Sequence, residues 1–152
     1  MRSKAPLVLM EQMIMLLVFA LAAALCLQAF VKSDGISRRN EARDRAVTLA
    51  QTVAETIRHC GGEGNDPLRQ AAEELGYAYY PNSLNQDFDE NWNPIATPAE
   101  TLDGLAYSLT ATLVDSGVNG LGKAHVIVFE AGGGETRFEL DVTWQKEVSA
   151  HG

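Results

Sequence analysis

The sequence predicts an α+β chain: a long N-terminal helix, half transmembrane and half amphipathic, packed on a small antiparallel sheet of about four or five strands. Three observations carry that expectation. Residues 13–31, MIMLLVFALAAALCLQAFV, contain one polar side chain, Gln28, in nineteen positions. Residues 46–60 carry an apolar stripe at three- and four-residue steps (Ala46, Leu49, Ala50, Val53, Ile57, Cys60), the signature of an amphipathic helix. From Leu105 to Gln145, glycine-rich turns separate three stretches: 105–114 and 136–145 alternate apolar and polar residues, as half-buried strands do, and 123–130 (KAHVIVFE) is nearly all apolar, as in a central strand.

The apolar run is long enough to cross a bilayer, because about 20 residues rising ~1.5 Å each span roughly 30 Å. It exceeds the usual 7–15-residue core of a secretory signal, and its small-x-small pattern (Ala20, Ala22, Ala24) lies in the middle of the run. An uncleaved span is therefore expected. The organisation that follows is an N-terminal tail with Arg2 and Lys4, a transmembrane helix ending at Val31, an amphipathic stalk (32–60) and an α+β head (61–152). The segment KSDGIS after the span offers Asp34 and Gly35 as a break or a loosening of the helix.

Within the head, GGEGN (61–65) ends the stalk. Asp66 followed by Pro67 is the expected N-cap and first-turn pair of a short helix that stops at Gly76. Tyr77, Tyr79 and Tyr80 predict a strand before Pro81. Residues 86–97 read as a β-hairpin around Glu90–Asn93. Residues 105–114, 123–130 and 136–145 complete the sheet. In the last of these, Phe138, Leu140, Val142 and Trp144 point inward, while Arg137, Glu139, Asp141 and Thr143 point outward. Connections this short imply antiparallel neighbours. One face of the sheet is solvated; the other needs a cover, which the stripe of the stalk supplies.

Charge is unevenly placed. The chain has a net charge of −8, yet residues 32–60 carry six basic and four acidic side chains, and residues 61–152 carry four basic against fifteen acidic ones. A head this acidic repels nucleic acid and anionic lipid, so no nucleic-acid partner is expected. The two cysteines, Cys26 and Cys60, would stand about 50 Å apart along a continuous helix, too far for an intramolecular disulfide. Five basic residues (Lys32, Arg38, Arg39, Arg43, Arg45) follow the span and two precede it. Taken literally, that count favours a cytoplasmic head.

No catalytic constellation is present in the sequence. His59, His125 and His151 are scattered, and no serine or cysteine sits in a nucleophile motif. The GGEG, GLG and GGG segments lack the strand-turn-helix context of phosphate loops. The expectation is a protein that is not an enzyme and holds no cofactor or metal. Asp87, Asp89, Asn91 and Asn93 alternate like the start of a calcium loop, but Trp92 stands where such a loop needs glycine and Pro98 where it needs the closing glutamate. A polar hairpin turn accounts for the same four residues.

The most distinctive single residue is Glu11. An ionised carboxylate costs several kcal/mol in hydrocarbon unless it is paired or held at the headgroup level. With its surroundings, LVLMEQMIMLLVFALAAALCLQ, followed by an amphipathic helix and a small antiparallel sheet, the chain resembles the type IV pilins and the pseudopilins of type II secretion. The resemblance is specific over roughly residues 4–60. It makes residues 1–6, with Arg2 and Lys4, a short basic leader, residues 7–31 the transmembrane helix, Leu7 the first mature residue and Glu11 the glutamate at the fifth mature position. It implies cleavage after Pro6 by a prepilin peptidase, methylation of the new amine, and pairing of Glu11 with the Leu7 amine of a neighbouring pilin-like subunit. It also implies a single-pass protein of the cell membrane whose head lies on the outer side, against the literal charge count. Pro6 departs from the glycine or alanine that the family places before the cut, and Leu7 from its usual phenylalanine or methionine. The other expectation is a membrane-anchored binding module that does not polymerise.

Overall fold

The structure, a computed structural model, describes residues 5–62, 66–96 and 104–146, with backbone alone at residues 5 and 6. Residues 1–4 of the expected leader, with Arg2 and Lys4, lie outside the described residues, as do Pro98 and His151. The chain is α+β, as the sequence predicts. Helix α1 runs Ala5–Gly61, α2 Pro67–Leu75, and the strands are β1 Ala78–Tyr80, β2 Ser83–Phe88, β3 Pro94–Ile95, β4 Tyr107–Val114, β5 Leu121–Glu130 and β6 Thr136–Gln145. Two compact units divide between Glu41 and Ala42.

The first unit is helical throughout its described length, and every described side chain from Leu7 to Glu41 is exposed. Asp34 and Gly35 do not break the helix. A Cβ at Gly35 would meet nothing within 4 Å, and Arg38 pairs with Asp34 one turn back at 3.0 Å. Glycine weakens a helix interior by about 1 kcal/mol relative to alanine, so Gly35→Ala is expected to stiffen this helix. Slower amide exchange at residues 31–39 would show it.

The second unit begins with the last five turns of α1. Ala46, Ala50, Val53, Ala54, Ile57 and Cys60 are buried there in one cluster with Leu84, Phe88, Leu109, Ala111, Ala124, Val126, Val128, Val142 and Trp144 of the sheet and Leu68, Ala71 and Ala72 of α2. The apolar stripe of the sequence is therefore the cover of the sheet. Helix α2 starts and stops where its local chemistry says. The Asp66 carboxylate accepts from the Arg69 N–H at 3.1 Å, Pro67 occupies the first turn, and Gly76 closes the helix in the left-handed conformation at φ 71°.

All pairings are antiparallel, in the order β1-β2-β4-β5-β6. Strand β3 shares the free edge of β2 with β1: β1 takes Ser83–Asn85, and β3 takes Asp87 and Phe88. Pro81-Asn82 turns the chain from β1 into β2, with Asn82 at φ 66°, the residue order of a tight turn that needs a left-handed second position. Strand β6 has the bounds that its alternation predicts, with Val142 and Trp144 buried and Phe138 and Leu140 half-buried. Strand β5 is central, as expected, and its two faces differ in burial. It pairs on both sides, but only Gly122, Ala124, Val126 and Val128 face the core; Lys123, His125, Ile127 and Phe129 lie on the other face. Residues 83–85 extend β2 beyond the expected hairpin. Gln86, the buried polar residue of that strand, satisfies its side-chain amide on the carbonyls of Asp87 and Ile95, both at 2.8 Å.

Candidate functional site

In the membrane-length segment, the residue with chemistry is Glu11. It lies on α1 one helical turn after Leu7, hence on the same face. Leu7 is 73 % exposed, and Val8, Leu9, Met10, Met13, Ile14 and Met15 around the carboxylate are exposed as well. Among the described residues Glu11 has no hydrogen-bond or ion-pair partner. Between Leu7 and Val31 it is the single Asp, Glu, Lys, Arg or His. An apolar surface of this extent is not left in water by a folded domain, and among the described residues this one helix is long and apolar enough to cross a membrane. Were this helix in a bilayer, its carboxylate would avoid the desolvation cost either at the headgroup level or by pairing with a cation brought by another molecule. Pro6 is the second residue of α1, a place where proline costs a helix nothing because its missing N–H has no partner there.

The head places the remaining candidates in two groups. The first is the β2–β3 turn. Asp89 Oδ1 accepts from the N–H groups of Asn91 and Asn93, both at 2.8 Å, and its Oδ2 accepts from Asn93 Nδ2 at 2.9 Å. The Asn93 side-chain amide, then the backbone N–H groups, hold the Asp89 carboxyl below its ordinary range. Asp87 accepts from the Ser108 hydroxyl at 2.7 Å across the β2–β4 ladder. The oxygens of both carboxylates are thus directed at protein donors, and among the described residues no group of three or more His, Cys, Asp or Glu is arranged to hold a metal ion.

The same turn holds the aromatic group that sequence reasoning missed. Trp92 sits at φ 65°, an uncommon conformation for a large side chain. It stacks on Tyr107 at 4.0 Å with the rings 10° apart, and leans on Phe88 at 6.1 Å; Tyr77 meets Phe88 edge-on at 6.4 Å. Burial raises the Tyr77 hydroxyl pKa. The ring stack over a hydrogen-bonded turn is what keeps Trp92 in that backbone conformation. Because the folded pKa of Asp89 is depressed, its contribution is complete above the ordinary carboxylate range and is lost as pH falls through the folded value. Asp89→Ala is accordingly expected to release the Trp92–Tyr107 stack at neutral pH and to abolish the acid-dependent part of the change in tryptophan emission. An unchanged emission titration in Asp89→Ala would show that the turn does not hold the stack.

The second group lies on the solvent face of the sheet. His125 Nδ1 and Asp141 Oδ1 are 2.8 Å apart, Lys123 Nζ and Asp141 Oδ2 are 2.8 Å apart, and His125 Nε2 is 3.7 Å from Glu139. The Lys123 hydrogen bond, then that of His125, lowers the Asp141 pKa. The β4–β5–β6 register makes this row, since His125 stands directly across from Asp141. Among the described residues no hydroxyl or thiol is hydrogen-bonded to His125, so the pair lacks a nucleophile to activate. Tyr79, on β1, donates to Asp66 at 2.6 Å and so ties that strand to the start of α2; the same bond raises the pKa of its hydroxyl.

Comparison of the chain with protein-family models, with curated proteins and with solved structures finds no match.

Proposed function

We propose that this protein is a structural subunit, a minor pilin-like or pseudopilin-like component of a type IV pilus, type II secretion or competence-type assembly, held in the cell membrane by residues 7–31 with its head on the outer side. One observation carries the reading: Glu11 is the lone charge in an exposed apolar helix, one turn from Leu7, and that helix continues into the stripe that closes an antiparallel head. Its partners are the bilayer, other pilin-like subunits through the N-terminal helix, and a prepilin peptidase acting before Leu7. In this reading the five basic residues after the span belong to a stalk helix that lies within a protein assembly, which is why the outer-side head is kept against the charge count.

In this reading Glu11 meets the Leu7 amine of a neighbour in hydrocarbon. Removing one member of such a pair costs about 3–5 kcal/mol. Glu11→Ala is therefore expected to abolish co-purification with other pilin-like subunits while leaving the thermal unfolding of the head unchanged. Retained co-purification would refute the role given to Glu11.

Pro6, standing where the family carries glycine or alanine, favours a second reading: an anchored binding module that keeps residues 1–6 and does not polymerise. Intact mass of the protein from its native membrane separates the two. A mass short of residues 1–6, with or without one methyl group, supports the assembly subunit; a full-length mass supports the static anchor.

A further inference from the structure

The two edges of the sheet are built differently. On one side β1 has three residues and is followed by Pro81, and β3 has two and begins with Pro94. Short strands and prolines are the ordinary means of stopping further strands from pairing. On the other side β6 offers ten residues, Thr136–Gln145, with no proline, glycine or lysine among them. Its register irregularity falls at Val128/Phe129, opposite Thr136–Phe138, and leaves Phe138–Gln145 in unbroken register with β5. Among the described residues nothing pairs with that edge.

The side chains of β6 specify what would pair there. On the core face, Val142 and Trp144 are buried, but Phe138 and Leu140 remain half-exposed, so apolar surface is left for alternate residues of an added strand. On the other face, Glu139 is exposed, 3.7 Å from His125 Nε2; Asp141 is already held by Lys123 and His125, each at 2.8 Å, and the cation of the strand, Arg137, by Glu130 at 2.8 Å and by Glu135 at 3.6 Å. A second copy of the chain would bring another head with fifteen acidic and four basic residues, and like-charge juxtaposition opposes that pairing. We propose that the free edge of β6 is a docking site for an extended segment of a different polypeptide. That segment carries a basic residue at the position facing Glu139 and apolar residues at the alternate positions facing Phe138 and Leu140. Main-chain hydrogen bonds supply affinity and the alternate side chains supply selectivity. The site stands whether or not the chain polymerises.

The test uses the full chain in lipid nanodiscs and two synthetic ten-residue peptides, one alternating lysine and valine and one alternating glutamate and valine. The readout is amide exchange along β6. The lysine peptide is expected to slow exchange at residues 136–145 and not at 78–80. Glu139→Lys, an exposed change that leaves the core untouched, is expected to weaken that binding about tenfold or more, as loss of a well-placed charge pair does. Equal protection by the glutamate peptide, or none by either, would overturn the proposal. So would β6 protection that rises with protein concentration alone, which would make the occupant a second copy, or full protection of the edge in the isolated protein.

Discussion

A chain beginning at Ala42 is expected to unfold in a single cooperative transition, whereas a chain beginning at Gly62 is expected not to fold at all. The reason is the position of the core. Ala46, Ala50, Val53 and Ile57 are fully buried, and Ala54 and Cys60 nearly so; all six lie on the last five turns of α1. Without them the inner face of β4 and β5, with Leu109, Ala111, Val126 and Val128 at 0 % exposure, loses its cover. Burying a Val or Ile is worth about 1.5–3 kcal/mol, and each buried methyl roughly 0.8. Removal of this stripe, with the exposure of the sheet it covers, therefore approaches the whole stability of a small domain, about 5–15 kcal/mol. Helix α2 cannot substitute, since it brings only Leu68, Ala71 and Ala72 as buried apolar side chains beyond its first proline. Thermal melts by circular dichroism on the two chains decide the point. A peptide spanning residues 42–62, added to the shorter chain, is expected to restore the transition. A cooperative melt of the shorter chain alone would show that the sheet and α2 suffice.

This dependence has a consequence for how the molecule works. The last turns of the helix that carries the apolar segment, from Ala42 on, are a core element of the head. For an assembly subunit of the proposed kind, the element that meets neighbouring subunits and the element that folds the head are the same helix. Sequence changes on its buried stripe and on its exposed apolar segment then have different readouts: the first lowers head stability, and the second alters association alone.

Much of this was legible in residues with a strong local pattern. Asp66, Pro67 and Gly76 bound α2 because caps act within one turn. The alternation Phe138, Leu140, Val142, Trp144 located β6 to the residue because its outward positions are uniformly polar. Glu11 was visible because nothing else in its segment is charged. What escaped the sequence depends on register or on distant contacts. Residues 83–85 carry one apolar side chain, Leu84, and Gln86 occupies a buried position only because the Asp87 and Ile95 carbonyls receive its amide. The pairing of His125 with Asp141 follows from the β5–β6 register, which neither strand states alone. Trp92 at positive φ contradicts local preference and is held by Tyr107, fifteen residues on. The continuity of α1 through Gly35 was open because glycine costs a helix about 1 kcal/mol without forbidding it.

The clearest non-local feature is Trp144, and it yields the second large effect. Gly122 stands directly across the ladder from Trp144, and Gly61 ends the buried part of α1. A Cβ built on either glycine would fall inside contact distance of the indole: at Gly61 against Cγ, Cδ1 and Nε1, at Gly122 against Nε1, Cε2 and Cζ2. The ring is thus clamped between two residues without side chains and is 6 % exposed. Gly122 does not have a positive φ, so alanine is conformationally acceptable there, and its only cost is the collision. Overpacking of this sort costs about 1–3 kcal/mol, and expulsion of the indole would forfeit burial worth about 3–5 kcal/mol. Gly122→Ala is therefore expected to destabilise the head by roughly 2–3 kcal/mol. In a Trp144→Leu background the same change is expected to cost less than about 0.5 kcal/mol, because the atoms it strikes are gone and the two residues are coupled only through that contact. Gly61→Ala is expected to show the same dependence on Trp144 with a smaller cost, since alanine improves the helix by about 1 kcal/mol. Denaturant unfolding of the wild type, of Trp144→Leu and of each glycine variant in both backgrounds measures the coupling. Equal costs for Gly122→Ala in both backgrounds would mean that glycine is required there for the strand itself and not for the seat of the ring.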